Sequence, residues 1–190
     1  MEMPLVEEKA PLLPDILAPG LDVIFVGAAP SHSSADIGHY YAGPTNKFWL
    51  VLHQAGFTHR RLRPEEDAGV VEFGVGLTGV YKRLSTSANH LLPVPSAERR
   101  SALRNKLVSL APLFVCYNGK DVYRMCTGRT CVEWGEQQER VGDARVHVVI
   151  SSSARADGWA RERLEQYRAL KRRVDELRTL RPRALADCTR

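Results

Sequence analysis

Val23-Ile-Phe-Val-Gly-Ala-Ala-Pro-Ser-His-Ser-Ser-Ala-Asp-Ile-Gly-His-Tyr-Tyr-Ala-Gly-Pro-Thr-Asn-Lys-Phe-Trp49 is the stretch whose reading decides the fold. Val23–Val26 is an apolar run short enough for a strand buried on both faces. It empties into a long polar segment rich in Gly, Ser and His, expected to carry no secondary structure of its own. Loops of that length are either functional or disordered. Tyr40, Tyr41, Gly38, Gly43 and Pro44 argue for order. From Asn46 to Ala55, Phe48, Trp49, Val51 and Leu52 recur on one helical face, and Gly56 closes it. A strand that exits into such a loop and then a helix is where α/β proteins place ligands.

Working outward, Leu21–Gly27 is the first expected strand. Pro64–Ala68 opens a short helix with Pro and acids in its first turn. Gly74–Thr78 is glycine-rich and reads as an extended loop. Ser96 caps an amphipathic helix to Leu110, with Leu103, Leu107 and Leu110 inward and Arg99, Arg100, Arg104 and Lys106 outward. Leu113–Tyr117 is a second buried strand, followed by Asn118-Gly-Lys120 and a short helix to Arg124. Arg145–Ile150 is a third strand, ending in Ser151-Ser-Ser-Ala-Arg155. Trp159–Leu177 is a long charged helix with Leu164, Tyr167, Leu170 and Val174 inward. Strands alternating with helices predict an α/β fold, a three-layer α/β/α sandwich around a mostly parallel sheet. The domain is expected over 21–178, with a lead-in at 1–20 and a basic tail at 179–190.

The 190 residues suit one domain. A charge of +5 and a pI near 9.2 favour an anionic partner. No segment approaches the roughly 18 apolar residues of a membrane span. The acidic N-terminus has no signal core, so a cytoplasmic protein is expected. The four cysteines lack metal-site spacing and read as reduced thiols, so neither metal nor cofactor is expected. Nucleotide-binding glycine motifs and a Gly-x-Ser-x-Gly elbow are missing.

Three polar strand exits, 27–43, 118–120 and 151–155, converge at the carboxyl ends of a parallel sheet. Tyr41 offers a flat face for stacking on a base, or is a core aromatic. Asp36 is the loop's sole carboxylate, able to orient water, or a solvated helix cap. Asn118 carries amide donors and an acceptor suited to a pyrimidine edge, or simply forms the turn before Gly119. Lys120 contacts phosphate or is solvated. The serines and Arg155 offer phosphate ligands, or a helix cap.

These motifs together resemble the uracil-DNA glycosylase superfamily, and within it the mismatch-specific uracil/thymine branch. That branch carries Gly-Ile-Asn-Pro-Gly, a His/Tyr/Phe loop and Pro-x-Asn-x-Phe-Trp. Here the positions read Gly27-Ala-Ala-Pro-Ser31, Gly38-His-Tyr-Tyr-Ala-Gly-Pro44 and Asn46-Lys-Phe-Trp49. Gly76-Leu-Thr78 with Arg83, Tyr117-Asn-Gly-Lys120 with Tyr123, and Ser151–Arg155 follow in order. The likeness spans roughly 21–178.

The resemblance implies a glycosylase that flips uracil out of double-stranded DNA, favouring G·U mismatches, and hydrolyses its N-glycosidic bond as a monomer. By position, Tyr41 stacks on the base, Asn118 reads its edge, and the backbone near Ala28 assists. Ser153 holds a flanking phosphate, Ala154 and Arg155 fill the vacated space, and Lys120 adds a phosphate contact. The family's catalytic Asn falls on Ala29, which has no polar group. Asp36 is the expected replacement, its carboxylate able to orient water and stabilise an oxocarbenium-like sugar. The alternative is a non-catalytic module that binds mismatches or abasic sites. A third reading is a hydrolase of free nucleosides.

Overall fold

Five strands form one sheet in the order β2-β1-β3-β5-β4. The computed structural model describes residues 13–82 and 92–180. Arg83, the first 12 residues and the tail from 181 lie outside the described residues. β1 (Val23–Gly27) lies parallel to β2 (Val75–Gly79) and to β3 (Phe114–Asn118), and β3 lies parallel to β5 (Ala144–Val149). β4 (Gly135–Val141) is antiparallel to β5 through a two-residue turn, where Gly142 takes a φ of 60°.

The three expected strands are present because their residues are apolar on both faces. Val23 and Phe25 of β1, with Phe114 and Cys116 of β3, pack under α2 (Phe48–Gln54) and α5 (Ala160–Leu180). Ile24, Val26, Val115 and Tyr117 pack on the opposite face under α3 (Ala97–Leu110) and α4 (Lys120–Thr127). This is the expected three-layer arrangement. Phe25 is its centre on the first face. It stacks on Tyr167 at 5.6 Å and meets Phe48 and Phe57 edge-on. Ser96 caps α3 as expected, its Oγ accepting from Arg99 N.

Three expectations are corrected. Gly74–Thr78 is no loop: Val75–Gly79 is strand β2, buried throughout. Its open edge is covered by residues 13–17, where Ile16 and Leu77 exchange backbone hydrogen bonds of 2.9 and 2.7 Å. A side chain at Gly76 would strike Leu21 and Leu17, so glycine lets that cover approach. Asp15 fixes it through Thr78, Lys82 and Lys106. Residues 13–17, expected within a lead-in, are thus packed on the sheet. Second, the Gly27–Gly43 segment contains a helix, α1 (His32–Ile37). Third, β4 was not expected, because Gly-Glu-Gln-Gln-Glu-Arg-Val has no apolar alternation. Ion pairs hold it: Glu136 to Arg145 and Arg173, and Glu139 to Arg129.

No helix among the described residues is long and apolar enough to cross a membrane. No group of His, Cys, Asp and Glu among them could hold a metal.

His147 of β5 is 3% exposed, and neither ring nitrogen has a hydrogen-bond partner among the described residues. Burial pulls its pKa down from 6.5 to about 4, against the attraction of nearby Glu136 and with the help of Arg173. Below pH 6.5 the unfolded chain takes up a proton that the folded chain refuses. Stability therefore falls as pH drops through 6.5 to about 4, by on the order of 3 kcal/mol in total. His147→Leu should flatten that part of the pH profile. Urea midpoints measured at several pH values test this, and an unchanged acid slope would remove His147 as its cause.

Candidate functional site

A cleft of about 450 Å³ opens at the carboxyl ends of β2, β1, β3 and β5. Parallel strand ends leave three consecutive exits whose backbone groups no ladder satisfies. Side chains satisfy them here, and in doing so shape the site.

The first exit runs Gly27-Ala28-Ala29-Pro30 into α1. Ser31 caps the helix, its Oγ accepting from Ser34 N at 3.3 Å, and Gly38 ends it with a φ of 75°. Ser34 Oγ then accepts from Ala42 N at 3.1 Å, tying the helix to the tyrosine turn. Asp67, 4% exposed on the 3-10 helix Pro64–Phe73, accepts from Tyr40 N at 2.8 Å and meets His39 Nδ1 at 3.1 Å. Trp49 Nε1 donates to the Tyr40 carbonyl at 3.0 Å. Asn46 Oδ1 accepts from Phe48 N at 2.9 Å and opens α2. So held, Tyr41 adopts a φ of 54°, uncommon for a side-chain-bearing residue, and stacks on Phe48 with centroids 3.9 Å apart. Phe48 covers one face of the ring, and Tyr41 lines the cleft. Tyr41 Oη is buried beside Asn118 without a well-formed hydrogen bond, and burial raises its pKa. A side chain at Gly27 would come within 3.3 Å of that hydroxyl.

The second and third exits are locked together. Asn118 Nδ2 donates to Ser152 Oγ at 3.0 Å, and its Oδ1 accepts from Ser152 N at 3.0 Å. Tyr167 Oη donates to the same Oδ1 at 3.3 Å. Two more α5 residues complete the buckle. Gln166 Oε1 accepts from Ile150 N at 2.7 Å. Arg163, 2% exposed, donates to the carbonyls of Ser151 (3.2 Å) and Ala156 (3.4 Å) and pairs with Asp157 at 3.1 Å. Lys47 N also donates to the Ser152 carbonyl at 2.9 Å, joining this loop to the first exit.

Of the residues expected at the site, Ala28, Tyr41, Asn118, Ser153 and Arg155 line the cleft, along with Ala29. Ala154 sits between two lining residues at the start of a 3-10 turn, Ala154–Trp159. Arg155 is exposed at the mouth. Asn118 differs from expectation in one respect. Its acceptor and one amide hydrogen are committed to Ser152 and Tyr167, and its amide also lies against the Tyr41 hydroxyl. Lys120 is not in the cleft wall. Its Nζ lies 4.5 Å from the Trp134 ring centroid in a cation–π contact. Asp36 is exposed on α1 and outside the cleft lining, where its helix turns Ser31, His32 and Ser34 inward instead. The carboxylate that does line the cleft is Asp121, on the first turn of α4, paired with Arg124 at 3.1 Å.

Sequence reading missed Asp121, Asp67, Gln166 and Arg163, and saw Tyr167 only as apolar bulk. Asp121 carried a signal, being three residues past Asn118 at the start of a helix. Arg163 carried none, being one of many arginines in a charged helix. Basic residues on α3 and α5 differ in their surroundings. Arg99 sits 5.0 Å over the Tyr81 ring at the cleft wall. Lys171 and Arg173 are neutralised by Asp175, Glu136 and Glu176.

Arg163→Met keeps the aliphatic stem but strips two carbonyls of their donor. It should cost on the order of 2–4 kcal/mol and raise amide exchange selectively across 151–157. Urea unfolding with peptide-resolved hydrogen exchange checks this, and a uniform rise across the sheet would refute a local buckle.

The structure resembles that of a candidate uracil DNA glycosylase from Methanosarcina acetivorans, solved in solution by NMR. The TM-score is 0.59 at 19% identity, covering 87% of this chain and 98% of that one. That likeness concerns the fold. The sequence itself matches the model of the uracil DNA glycosylase superfamily over residues 14–178. The packed cover from residue 14 onward, the three strand exits and the motifs on them all fall inside that match, and the chain belongs to the uracil DNA glycosylase superfamily.

Proposed function

We propose that this protein is a monofunctional DNA glycosylase that hydrolyses the N-glycosidic bond of uracil in double-stranded DNA, favouring uracil opposite guanine. The observation that carries the reading is the single cleft that gathers Tyr41, backed by Phe48, the Ala28–Ala29 segment and Asn118 at the strand ends. A planar base fits there only after leaving the helix. Extrusion costs a few kcal/mol and least at a mismatch, which supports the G·U preference. Ser153 and Arg155 at the mouth take flanking phosphates, Ala154 and Arg155 enter the vacated stack, and Arg99 adds positive charge. Lys120 extends the phosphate path from outside the cleft. One chain supplies all three exits, so a monomer suffices.

The Asn118 donor favours the base with negative charge on a carbonyl oxygen, as it develops when the bond to the sugar breaks. Water then attacks the oxocarbenium-like sugar, and the proton it sheds needs an acceptor. Ala29 offers none, and Asp36 is exposed and not among the cleft-lining residues. We assign this role to Asp121, the carboxylate-bearing residue of the cleft lining, which would have to leave its exposed pairing with Arg124 to reach the water. Chemistry of this kind is worth roughly 10²–10⁴ in rate. The second reading, a binding module without chemistry, is favoured by Ala29 alone.

Single-turnover cleavage of a G·U duplex with enzyme in excess decides between the two. The wild type should cleave, and faster than with uracil opposite adenine. Asp121→Asn should lose at least about 10²-fold, and Asp36→Ala should stay near the wild-type rate. Binding without any cleavage would establish the module instead. A collapse of activity in Asp36→Ala would return the base to Asp36.

A further inference from the structure

A second cavity of about 380 Å³ lies away from the strand ends, on the face carrying α3 and α4. Its floor is apolar, made by Leu103 and Leu107 of α3, Cys126 of α4 and Val146 of β5. Its rim carries four arginines, Arg100, Arg104, Arg129 and Arg140, and one carboxylate, Glu139. That carboxylate is committed to Arg129 at 2.8 Å and to the Tyr123 hydroxyl. Arg104 and Arg140 are held by carbonyls instead, of Arg140 and Asp143, each at 3.3 Å. A carbonyl fixes a guanidinium's position without cancelling its charge. These hydrogen bonds leave each fork with further donors for a ligand. Tyr117, 4% exposed, also lines the cavity, and burial raises its pKa, so its hydroxyl stays protonated as a donor.

Arg129 is offset by Glu139, but Arg100, Arg104 and Arg140 share the rim with no other carboxylate in the lining and repel one another. An anion relieves that repulsion, and Arg forks match phosphate oxygens two at a time. The apolar floor asks for more than an inorganic ion. The volume is within the roughly 300–1,000 Å³ of small-molecule sites. We infer that this cavity binds a small organic phosphate, its phosphate among Arg100, Arg104 and Arg140 and its apolar or aromatic body on Leu103, Leu107 and Val146. The site is separate from the cleft. α4 connects them, its first turn (Asp121, Val122) lining the cleft and its last (Cys126, Thr127) lining the cavity. The inference is independent of the glycosylase reading.

The test uses adenosine 5′-monophosphate as probe on the full chain, with adenosine and inorganic phosphate as separate arms, by calorimetry. The nucleotide should bind at least ten-fold more tightly than either half. The double variant Arg104→Ala, Arg140→Ala should weaken it at least ten-fold. Because that variant risks misfolding, ¹H–¹⁵N spectra of the wild type provide a second measure. Nucleotide should shift amides near Leu103, Thr127 and Val141, and leave Ala28 and Asn118 in place. Absence of binding, unchanged binding in the variant, or adenosine or phosphate binding as tightly as the nucleotide would overturn the inference. So would shifts confined to the cleft. Displacement of the nucleotide by undamaged duplex DNA would assign these arginines to a nucleic-acid path and overturn it as well.

Discussion

The amide of Asn118 is the constraint on which the site depends. A parallel sheet delivers its strand ends to one side but does nothing to fix the loops that follow. Asn118 ends β3 with its side chain buried, and a buried amide must find partners or lose several kcal/mol. It finds them on Ser152, three residues past the end of β5, and on Tyr167 of α5. The exits of two neighbouring strands are thereby held in one register. Removing the Asn118 amide would strip the Ser152 hydroxyl and backbone N–H of their partners at once, so the two exits are held together or not at all. Arg163 and Gln166 extend the same logic along α5, satisfying backbone groups that the sheet cannot.

A second lock acts on the first exit. Asp67 and Trp49 hold the two backbone polar groups of Tyr40, one from each side. Tyr41 then has little choice: a left-handed φ turns its ring onto Phe48, which itself packs edge-on against Phe25. The stacking wall of the cleft is thus continuous with the hydrophobic core. A wall built this way costs little reorganisation when a ligand arrives, which is what a rigid recognition pocket needs. The two locks meet where Lys47 N reaches the Ser152 carbonyl.

Much of this was legible in the sequence because the central strands advertise themselves. Val23–Val26, Leu113–Tyr117 and Arg145–Ile150 are short, mostly apolar runs bounded by polar turns, the pattern of strands covered on both faces. Asn46, Phe48 and Trp49 were visible as a motif, and each proves to have a distinct physical duty. What stayed hidden depends on partners far along the chain. β4 is polar at every position but its ends, and holds through ion pairs to β5, α5 and the segment after α4. β2 looked like a loop because Gly76 and Gly79 lack side chains, and Gly76 is needed to admit the covering segment. α1 is set by a serine cap and a left-handed glycine rather than by apolar period. Choosing between Asp36 and Asp121 required knowing which way a six-residue helix faces.

The central claim is that the cleft receives a base turned out of the duplex. A G·U duplex carrying 2-aminopurine beside the uracil reads this directly, since 2-aminopurine fluoresces when its neighbour unstacks. Stopped-flow mixing with the wild-type protein should give a rise in fluorescence that precedes cleavage, and a matched G·C duplex should give none. Tight binding of the G·U duplex with no change in 2-aminopurine fluorescence would contradict the account.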